Sequence, residues 1–378
     1  MKLVDFGWDW VIRGAYRSNF IQTLLLEIAE LGFFFMDKKL LTPRIRFIQE
    51  NLASNPVLIL GSGHSASFGL PGMAELTDYL RTKLPGTLPP QEKDIWNKLN
   101  EAFDQSSLED VLQKNTTTPI LMDYIIRETW NCIFPSDIKV MQDILHDRVE
   151  LPLTRLLIYL FRSTNKRLSI ITTNYDRLIE YSIDRAGFAW ATGFQSGYIN
   201  QRYSTSDYYI VKNGLKVRMV DIWKVHGSLD WFQGSDELIY YLPSAVNLPE
   251  GFKPTIVTPG VEKYRQTHKE PFRSIITGAD AALESGNSYI CVGYGFNDEH
   301  IQPKLIERCK RQEKSIVVLS KKLTDSAKKV LLDGKCKYFL AFEETEEGTR
   351  MFTPDNLKGT EIAGVQLWSF GKLLELVI

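Results

Sequence analysis

Four short segments of the chain combine residue types that bind phosphate, hold a ribose or move a proton, and each follows an apolar run. The first is Gly61-Ser62-Gly63-His64-Ser65, continuing to Gly69-Leu70-Pro71-Gly72. Gly61 and Gly63 can take positive φ and let backbone N–H groups approach a pyrophosphate, while the helix that follows adds its positive dipole end. The second, Asn174-Tyr175-Asp176, sets an amide and a carboxylate two residues apart. In isolation such a pair makes a turn and caps the next helix. The third, Lys224-Val225-His226-Gly227-Ser228, offers an imidazole able to exchange protons near neutral pH. A lone histidine is more often structural, but this one follows a strand, precedes a glycine and has polar neighbours. The fourth, Gly293-Tyr294-Gly295-Phe296-Asn297-Asp298-Glu299-His300, opens on glycines again, and Ser320-Lys321 ends a further apolar run.

The elements that must position these segments are strands and helices in alternation. Residues 56–60, 168–173, 288–293 and 315–319 read as short buried strands. Runs at 208–211 and 217–225 flank Asn213-Gly214, the strongest short hairpin signal. After the first strand, Met73, Leu76, Leu80 and Leu84 fall on one helix face. Residues 91–163 read as helical throughout: a capping box from Ser106 to Glu109 opens a helix over 106–114, and further segments begin near Pro119, Asp137 and Pro152. The economical arrangement is an all-helical insertion between the first two strands, placed where it can form a lid. The whole predicts an α/β fold, a Rossmann-like doubly wound parallel sheet with helical insertions. In such sheets ligands bind at the carboxyl ends of the strands, where all four segments lie. A nicotinamide dehydrogenase is disfavoured, because Gly69 comes too late for GxGxxG and no strand ends in an acidic residue about 20 positions on.

With 378 residues the chain has room for two or three domains, and 44% hydrophobic with 24% charged residues is a globular composition. The expected division is a helical segment over 1–54, a catalytic domain over 55–334 with its insertion at about 88–165, and an extension over 335–378. In the N-terminal segment, Asn19 and Gln22 start one helix, an aromatic stretch covers 32–36, and Thr42 with Pro43 starts a second helix. The extension reads as a strand at 338–342, an acidic loop at 343–347, a strand at 365–368 and a short helix, suited to packing or assembly. Lys plus Arg minus Asp plus Glu is 45 − 46 = −1, so no global positive field holds nucleic acid. Four scattered cysteines exclude a disulfide framework, and the N-terminus lacks the pattern of a signal peptide. Glu27 and Glu30 break the most apolar stretch, 20–36, which therefore reads as a soluble helix rather than a span. The expected location is the cytoplasm.

In order and together, GSGHSASFGLP, TTNYD, KVHGS and GYGFNDEHI resemble the bacterial sirtuin-like domains of the silent information regulator superfamily, over about residues 57–335. The resemblance implies NAD+ as substrate. It places Gly61, Ser62, Gly63 and Ser65 around the pyrophosphate, and Asp176 beside the nicotinamide carboxamide. Gly293, Tyr294, Gly295 and Ser320 fall near the adenine ribose, and Asn174 and His226 become the catalytic pair. Deacylating sirtuins carry a zinc ribbon with two Cys-x-x-Cys pairs, whereas this chain has no cysteine between Cys132 and Cys291. No zinc is therefore expected, protein deacylation is placed in doubt, and water becomes the acceptor of the ADP-ribosyl group. The implied activity is an NAD+ glycohydrolase releasing nicotinamide and ADP-ribose.

The resemblance extends to antiphage effectors that deplete NAD+, and within these to proteins paired with a HerA-type hexameric ATPase. It implies a homo-oligomer with that ATPase as a separate partner, since GxxxxGK[ST] does not occur in the chain. Trp8, Trp10, Phe33, Phe34, Phe35 and Trp368 are the candidate assembly surface. No membrane partner is expected, and nucleic acid only indirectly or weakly. Two rivals stand beside this reading. Gly63-His64-Ser65-Ala66-Ser67 superficially resembles the nucleophile elbow of α/β-hydrolases, with Ser65 as nucleophile, although its fifth position is not glycine. Basic clusters at 304–314 and 321–329 suggest a nuclease or DNA-associated subunit, although such runs are usually solvated helix faces.

Overall fold

The computed structural model describes residues 38–194, 198–201, 210–258 and 270–378. The expected helix from Asn19, the aromatic stretch at 32–36 and the tryptophans Trp8 and Trp10 lie outside these residues. The first helix, α1 (Lys38–Ala53), runs through Thr42 and Pro43 instead of starting there. Leu41, ahead of the proline, is buried in the same core as Ile48 and Leu52, and that burial carries the helix past the expected cap.

Next come β1 (Val57–Leu60), buried at every position, and the one-turn helix α2 (Ser62–Ala66). The insertion comprises α3 (Met73–Thr87), α4 (Pro90–Ala102), α5 (Leu108–Lys114), α6 (Pro119–Leu145) and α7 (Pro152–Leu160), and it ends at β2 (Arg167–Thr172). β1 and β2 pair in parallel, with Leu58 opposite Ile170, so an all-helical insertion does separate two adjacent strands. Two details differ from the sequence reading. The cap of α5 is Ser107, whose hydroxyl accepts from Asp110 N–H at 3.1 Å, one residue later than expected. α6 continues unbroken through Asp137, because Ile133, Phe134, Val140 and Ile144 keep one buried stripe running across that position.

The chain continues through α8 (Leu178–Ala186), β3 (Ala189–Ala191), β4 (Asn200–Gln201) and the hairpin of β5 (Val211–Lys212) and β6 (Leu215–Lys216), which turns on Asn213-Gly214 as its sequence predicts. β7 (Met219–Lys224) leads into β8 (Gly227–Gln233), β9 (Ile239–Tyr241) and β10 (Lys253–Ile256). The strand expected over 217–225 is β7, which starts two residues later and ends one residue earlier, while the hairpin's second strand lies just before it at Leu215–Lys216. α9 (Phe272–Ser285), β11 (Ser288–Val292), α10 (Gln302–Arg311), β12 (Ser315–Leu319) and α11 (Asp325–Leu331) complete the alternation. The C-terminal extension holds β13 (Phe339–Thr345), β14 (Gly348–Thr353), β15 (Asn356–Ala363) and α12 (Phe370–Val377). Here the expected acidic loop is the end of β13 and its tight turn, while 365–368 is a turn and not a strand. Thr349 explains the turn: its hydroxyl donates to Val365 O at 2.7 Å and accepts from Leu367 N–H at 2.8 Å, bending the chain towards α12.

Nine strands form one sheet in the order β15-β14-β13-β12-β11-β1-β2-β7-β3. It is parallel from β13 to β3, and β13, β14 and β15 are antiparallel. Alternate residues feed two cores: Leu58, Leu60, Ile170 and Val317 meet α1, α7, α8 and α12, while Ile59, Ile171, Cys291 and Val318 meet α9, α10 and α11. Helices on both faces of a parallel sheet make a doubly wound, Rossmann-type fold. The insertion has a third core of its own, built on Trp96, Ile125, Trp130 and Leu84. A separate antiparallel sheet, β10-β8-β9-β4, was not legible in the sequence. Among the described residues no helix is long and apolar enough to cross a membrane.

β1 lies between β2, which follows it, and β11, from the far half of the chain, so the winding direction reverses at β1/β11. There the two outgoing loops interleave. A Cβ on Gly61 would sit 2.4 Å from Gly293 O, one on Gly63 2.8 Å from Gly293 Cα, and one on Gly293 2.2 Å from His64 N. Gly293 also has φ +60, while Gly69, at φ +81, has nothing within 4 Å of its would-be Cβ. Gly69→Ala should therefore cost about 1 kcal/mol of backbone strain, and Gly293→Ala upwards of about 3 kcal/mol, because it must also push the main chains of the two loops away from each other. Urea midpoints measure both, and equal midpoints would contradict the interlock.

Candidate functional site

The interlock changes what the glycine loop can do. Gly61 N–H donates to Val292 O at 3.0 Å, Gly63 N–H to Gly293 O at 3.1 Å and His64 N–H to Gly61 O at 2.9 Å. Two of the amides expected to face a pyrophosphate, those of Gly61 and Gly63, are spent inside the protein. The glycines serve the close approach of β1 and β11, and the loop turns its serines outward to the site.

Asn174, just past β2, is hooked onto this loop. Its Nδ2 donates to Gly61 O at 2.9 Å and Ser65 Oγ at 2.8 Å, and its own N–H donates to Thr172 Oγ1 at 3.0 Å. Both amide hydrogens are committed, which leaves Oδ1 as the atom for a ligand. Ser65 also lies close enough to the Asp176 carboxylate to favour its charged form. A serine engaged by an amide and a carboxylate on a short helix does not have the geometry of a nucleophile elbow.

Asp176 is buried, and burial pushes its carboxyl above the usual range, against the pull of Lys224. Lys224, at the end of β7, is 0% exposed. Its Nζ donates to Asp176 O at 2.5 Å and to Glu180 Oε1 at 2.9 Å. Burial pushes the Glu180 carboxyl up too, and the lysine counters it. A second buried pair latches the insertion beside this turn. Arg177 donates through its guanidinium to Asp137 at 2.6 and 3.0 Å and through its backbone at 2.8 Å, and Tyr181 donates to the same carboxylate at 2.6 Å. Asp137, read from sequence as a helix start, is instead this anchor.

His226 sits between β7 and β8, its carbonyl accepting from Val257 N–H at 2.8 Å. Its Nε2 lies 2.8 Å from Asp298 Oδ2, close in distance though off hydrogen-bond alignment. The other Asp298 oxygen accepts from His300 and Ile301 N–H, both at 3.0 Å, so the carboxylate is held by the turn entering α10. Tyr175 donates to Val257 O at 2.7 Å and pins the strand end to the same wall. The Tyr294 hydroxyl, buried nearby, leans on the Asp298 backbone without a well-aligned hydrogen bond among the described residues.

These residues enclose a cavity of about 200 Å³ at the β1/β11 reversal. Gly61, Ser62, Ser65, Asn174, Asp176, His226, Tyr294 and Gly295 line it; Gly63 and Gly293 stand behind the lining, and Ser320 is not in it. Ser320 closes its own turn, donating to Lys322 O at 2.7 Å. The sequence reading missed Glu109 and Asp298 in the lining and Lys224 beneath it. Asp298 stood inside a motif already singled out, whereas Glu109 had been assigned to a capping box and faces the cavity once the cap moves to Ser107. Among the described residues the lining carries three carboxylates, one imidazole and neither lysine nor arginine. Among the described residues, no group of three or more His, Cys, Asp or Glu is placed to hold a metal ion.

Residues 168–336 match the SIR2-like domain family. The match takes in Asn174, Asp176, His226, Gly293 and Asp298 and starts after the glycine loop. No curated protein matches the chain. Among solved structures, a Sir2 homologue in complex with NAD is 15% identical, covering 90% of this chain and 92% of that chain with a TM-score of 0.40. A Sir2 homologue variant with 2′-O-acetyl ADP-ribose is 16% identical, covering 90% and 96%, with a TM-score of 0.39. Sir2Tm bound to a propionylated peptide is 14% identical, covering 78% and 91%, with a TM-score of 0.41.

His64 points away from the cavity. Its ring is 3% exposed and lies edge-on to Phe68 at 5.6 Å and Phe370 at 6.0 Å.

Two outcomes follow from these buried charges and rings. Lys224→Met leaves Glu180 and Asp176 O uncompensated and should cost about 3–5 kcal/mol, much of which Lys224→Met/Glu180→Leu should restore. Urea denaturation reads this, and a fully stable single variant would refute it. Burial also pushes the His64 imidazole down to about 4 from 6.5. Because the unfolded chain then takes up the proton first, stability is complete above about pH 6.5 and falls towards pH 4, by on the order of 2 kcal/mol at pH 5. His64→Phe should lose that share of acid sensitivity, and an unchanged shift in urea midpoint between pH 7.5 and 5 would count against it.

Proposed function

We propose that the protein is an NAD+ glycohydrolase that releases nicotinamide and ADP-ribose. The observation that carries this reading is the meeting of Ser65, Asn174, Asp176 and His226 in one acid-lined cavity at the reversal point of the sheet. Glycosidic cleavage develops positive charge on the ribose, and the nicotinamide ring of the substrate is itself cationic. Among the described residues the lining carries Glu109, Asp176 and Asp298 and no lysine or arginine, which favours such a group electrostatically. At about 200 Å³ the cavity is smaller than the roughly 300–1,000 Å³ of whole-ligand pockets, so it suits the nicotinamide riboside end. The rest of the dinucleotide would lie across the mouth formed by Ser62 and Gly295.

In this scheme the C1′–N bond breaks, and nicotinamide leaves neutral with the bonding electrons. Asn174 Oδ1 accepts from a ribose hydroxyl or the attacking water, since Nδ2 is committed to the loop. The water oxygen bonds C1′, and its proton passes to His226, whose charge Asp298 then faces at 2.8 Å. Water is preferred over an acyl-lysine because the chain has no cysteine between Cys132 and Cys291 with which to build the ribbon of deacylating sirtuins. The proposed setting, antiphage defence in a homo-oligomer with a HerA-type ATPase, draws its support from the sequence resemblance alone.

Asn174→Ala and His226→Ala should each lower turnover by about 10²–10⁴-fold, the range for a positioned acid–base group, and leave the fold intact. Chromatography of NAD+ incubations measures nicotinamide and ADP-ribose together. Wild-type turnover in the double variant would overturn the proposal.

A further inference from the structure

We infer that the C-terminal helix α12 holds the glycine loop in its working shape through the contact of Phe370 with His64, which makes Phe370 a positioning residue for the site. The His64 side chain has no role in the proposed chemistry, since it is absent from the cavity lining. Its Nε2 is buried with no hydrogen-bond partner among the described residues, so packing alone holds the ring. Phe370 belongs to the core on one face of the sheet and Phe68 packs on the core of the insertion. The imidazole joins the two, at 6.0 Å from one ring and 5.6 Å from the other.

The backbone of the same residue is the portion of the loop held most closely by the interlock. His64 N–H donates to Gly61 O at 2.9 Å, and a Cβ on Gly293 would stand 2.2 Å from that nitrogen. The next residue is Ser65, whose hydroxyl meets Asn174 Nδ2 at 2.8 Å. A ring that slips in its socket therefore shifts the loop, Ser65 and the Asn174 amide together, because a close-packed interior transmits displacement instead of absorbing it. Phe370 is itself held from two sides. Thr349 fixes the turn before it by two hydrogen bonds, and at the far end of α12 Gln49 Nε2 donates to Val377 O at 3.1 Å, tying the helix to α1. The extension over 335–378 thus reaches the site through one aromatic contact.

The kinetic half of this inference rests on the glycohydrolase reading; the structural half does not. Hydrogen exchange of the full chain should show amides 61–66 opening at least about tenfold faster in Phe370→Ala than in wild type, with β2 as an unchanged internal control. Phe370→Leu, which refills most of the space, should restore protection. In turnover, Phe370→Ala should lower kcat/KM for NAD+ about tenfold, because Asn174 moves with the loop, Phe370→Leu should restore it, and adding His64→Ala should bring little further change, since coupled neighbours are not additive. His64→Ala alone gives the same exchange test if Phe370→Ala does not fold. Wild-type exchange at 61–66 in the variants overturns the inference, whatever their melting temperatures. Faster exchange in a protein that never cleaves NAD+ leaves the inference standing and removes the glycohydrolase reading. Cleavage of NAD+ with unchanged exchange and kcat/KM does the reverse.

Discussion

Two main chains meet at the ends of β1 and β11 too closely for any side chain between them, and the site depends on that approach. Parallel strands wound in opposite directions leave a crevice where they diverge. In this protein the crevice floor is backbone, because Gly61, Gly63 and Gly293 fit against one another with no room for a Cβ on any of them. Three consequences follow. The loop amides are consumed in holding the interlock, the loop is left rigid enough for Asn174 to hook onto Gly61 O and Ser65, and the serines are the groups turned outward. What would pass for a phosphate nest in the sequence is a hinge pin in the structure, with a binding surface on one side and a packed histidine on the other.

Beneath the interlock lies an unusual concentration of buried charge. Lys224 with Glu180, and Arg177 with Asp137, are taken out of water in the same turn region. Desolvating an ion costs several kcal/mol, and a buried pair repays it only when its remaining donors and acceptors are satisfied. Here most of them are used: Lys224 also donates to the Asp176 carbonyl, and Asp137 accepts four hydrogen bonds from Arg177 and Tyr181, while Glu180 Oε2 has no hydrogen-bond partner among the described residues. A hydrophobic pair of similar volume would serve stability as well. It would not fix the direction of a carbonyl or tie helix α6 to the start of α8. The charges are explained by placement, since they hold the Asn174-Tyr175-Asp176 turn between sheet and insertion, and the insertion then delivers Glu109 to the cavity.

The cavity and its supports also divide labour between the ends of the chain. The middle, which carries the SIR2-like match, supplies the amide, imidazole and two carboxylates. The insertion supplies the third carboxylate and an apolar wall through Ile133 and Leu76. The C-terminal strands lengthen the sheet and aim α12 back at the loop. The basic clusters on α10 and α11 have part of their charge met locally, Arg311 by Glu307, Lys304 by Glu284 and Lys328 by Glu343.

Strand and helix alternation and the ends of the parallel strands were legible in the amino-acid sequence, because they rest on local chemistry, and Asn174 and His226 follow two of those ends. An apolar run of strand length reports its own burial, and a glycine or polar residue after it marks the end of that run, as at Leu60-Gly61 and Thr172-Thr173-Asn174. Asn213-Gly214 likewise carries its hairpin in two residues. Whatever depends on a partner distant in the chain was decided by the tertiary structure. Ser106 and Ser107 are equivalent as local caps, and only the seating of the insertion chose Ser107 and turned Glu109 towards the cavity. Asp298 is a helix-entry aspartate until β8 brings His226 to it across 72 residues, counted as 298 − 226. The glycines show the same division most plainly. Their need for space was visible from composition, but what fills that space is another stretch of backbone 230 residues away, counted as 293 − 63. Chain neighbours set conformation over a few bonds, whereas contact across hundreds of residues exists only after the sheet has closed.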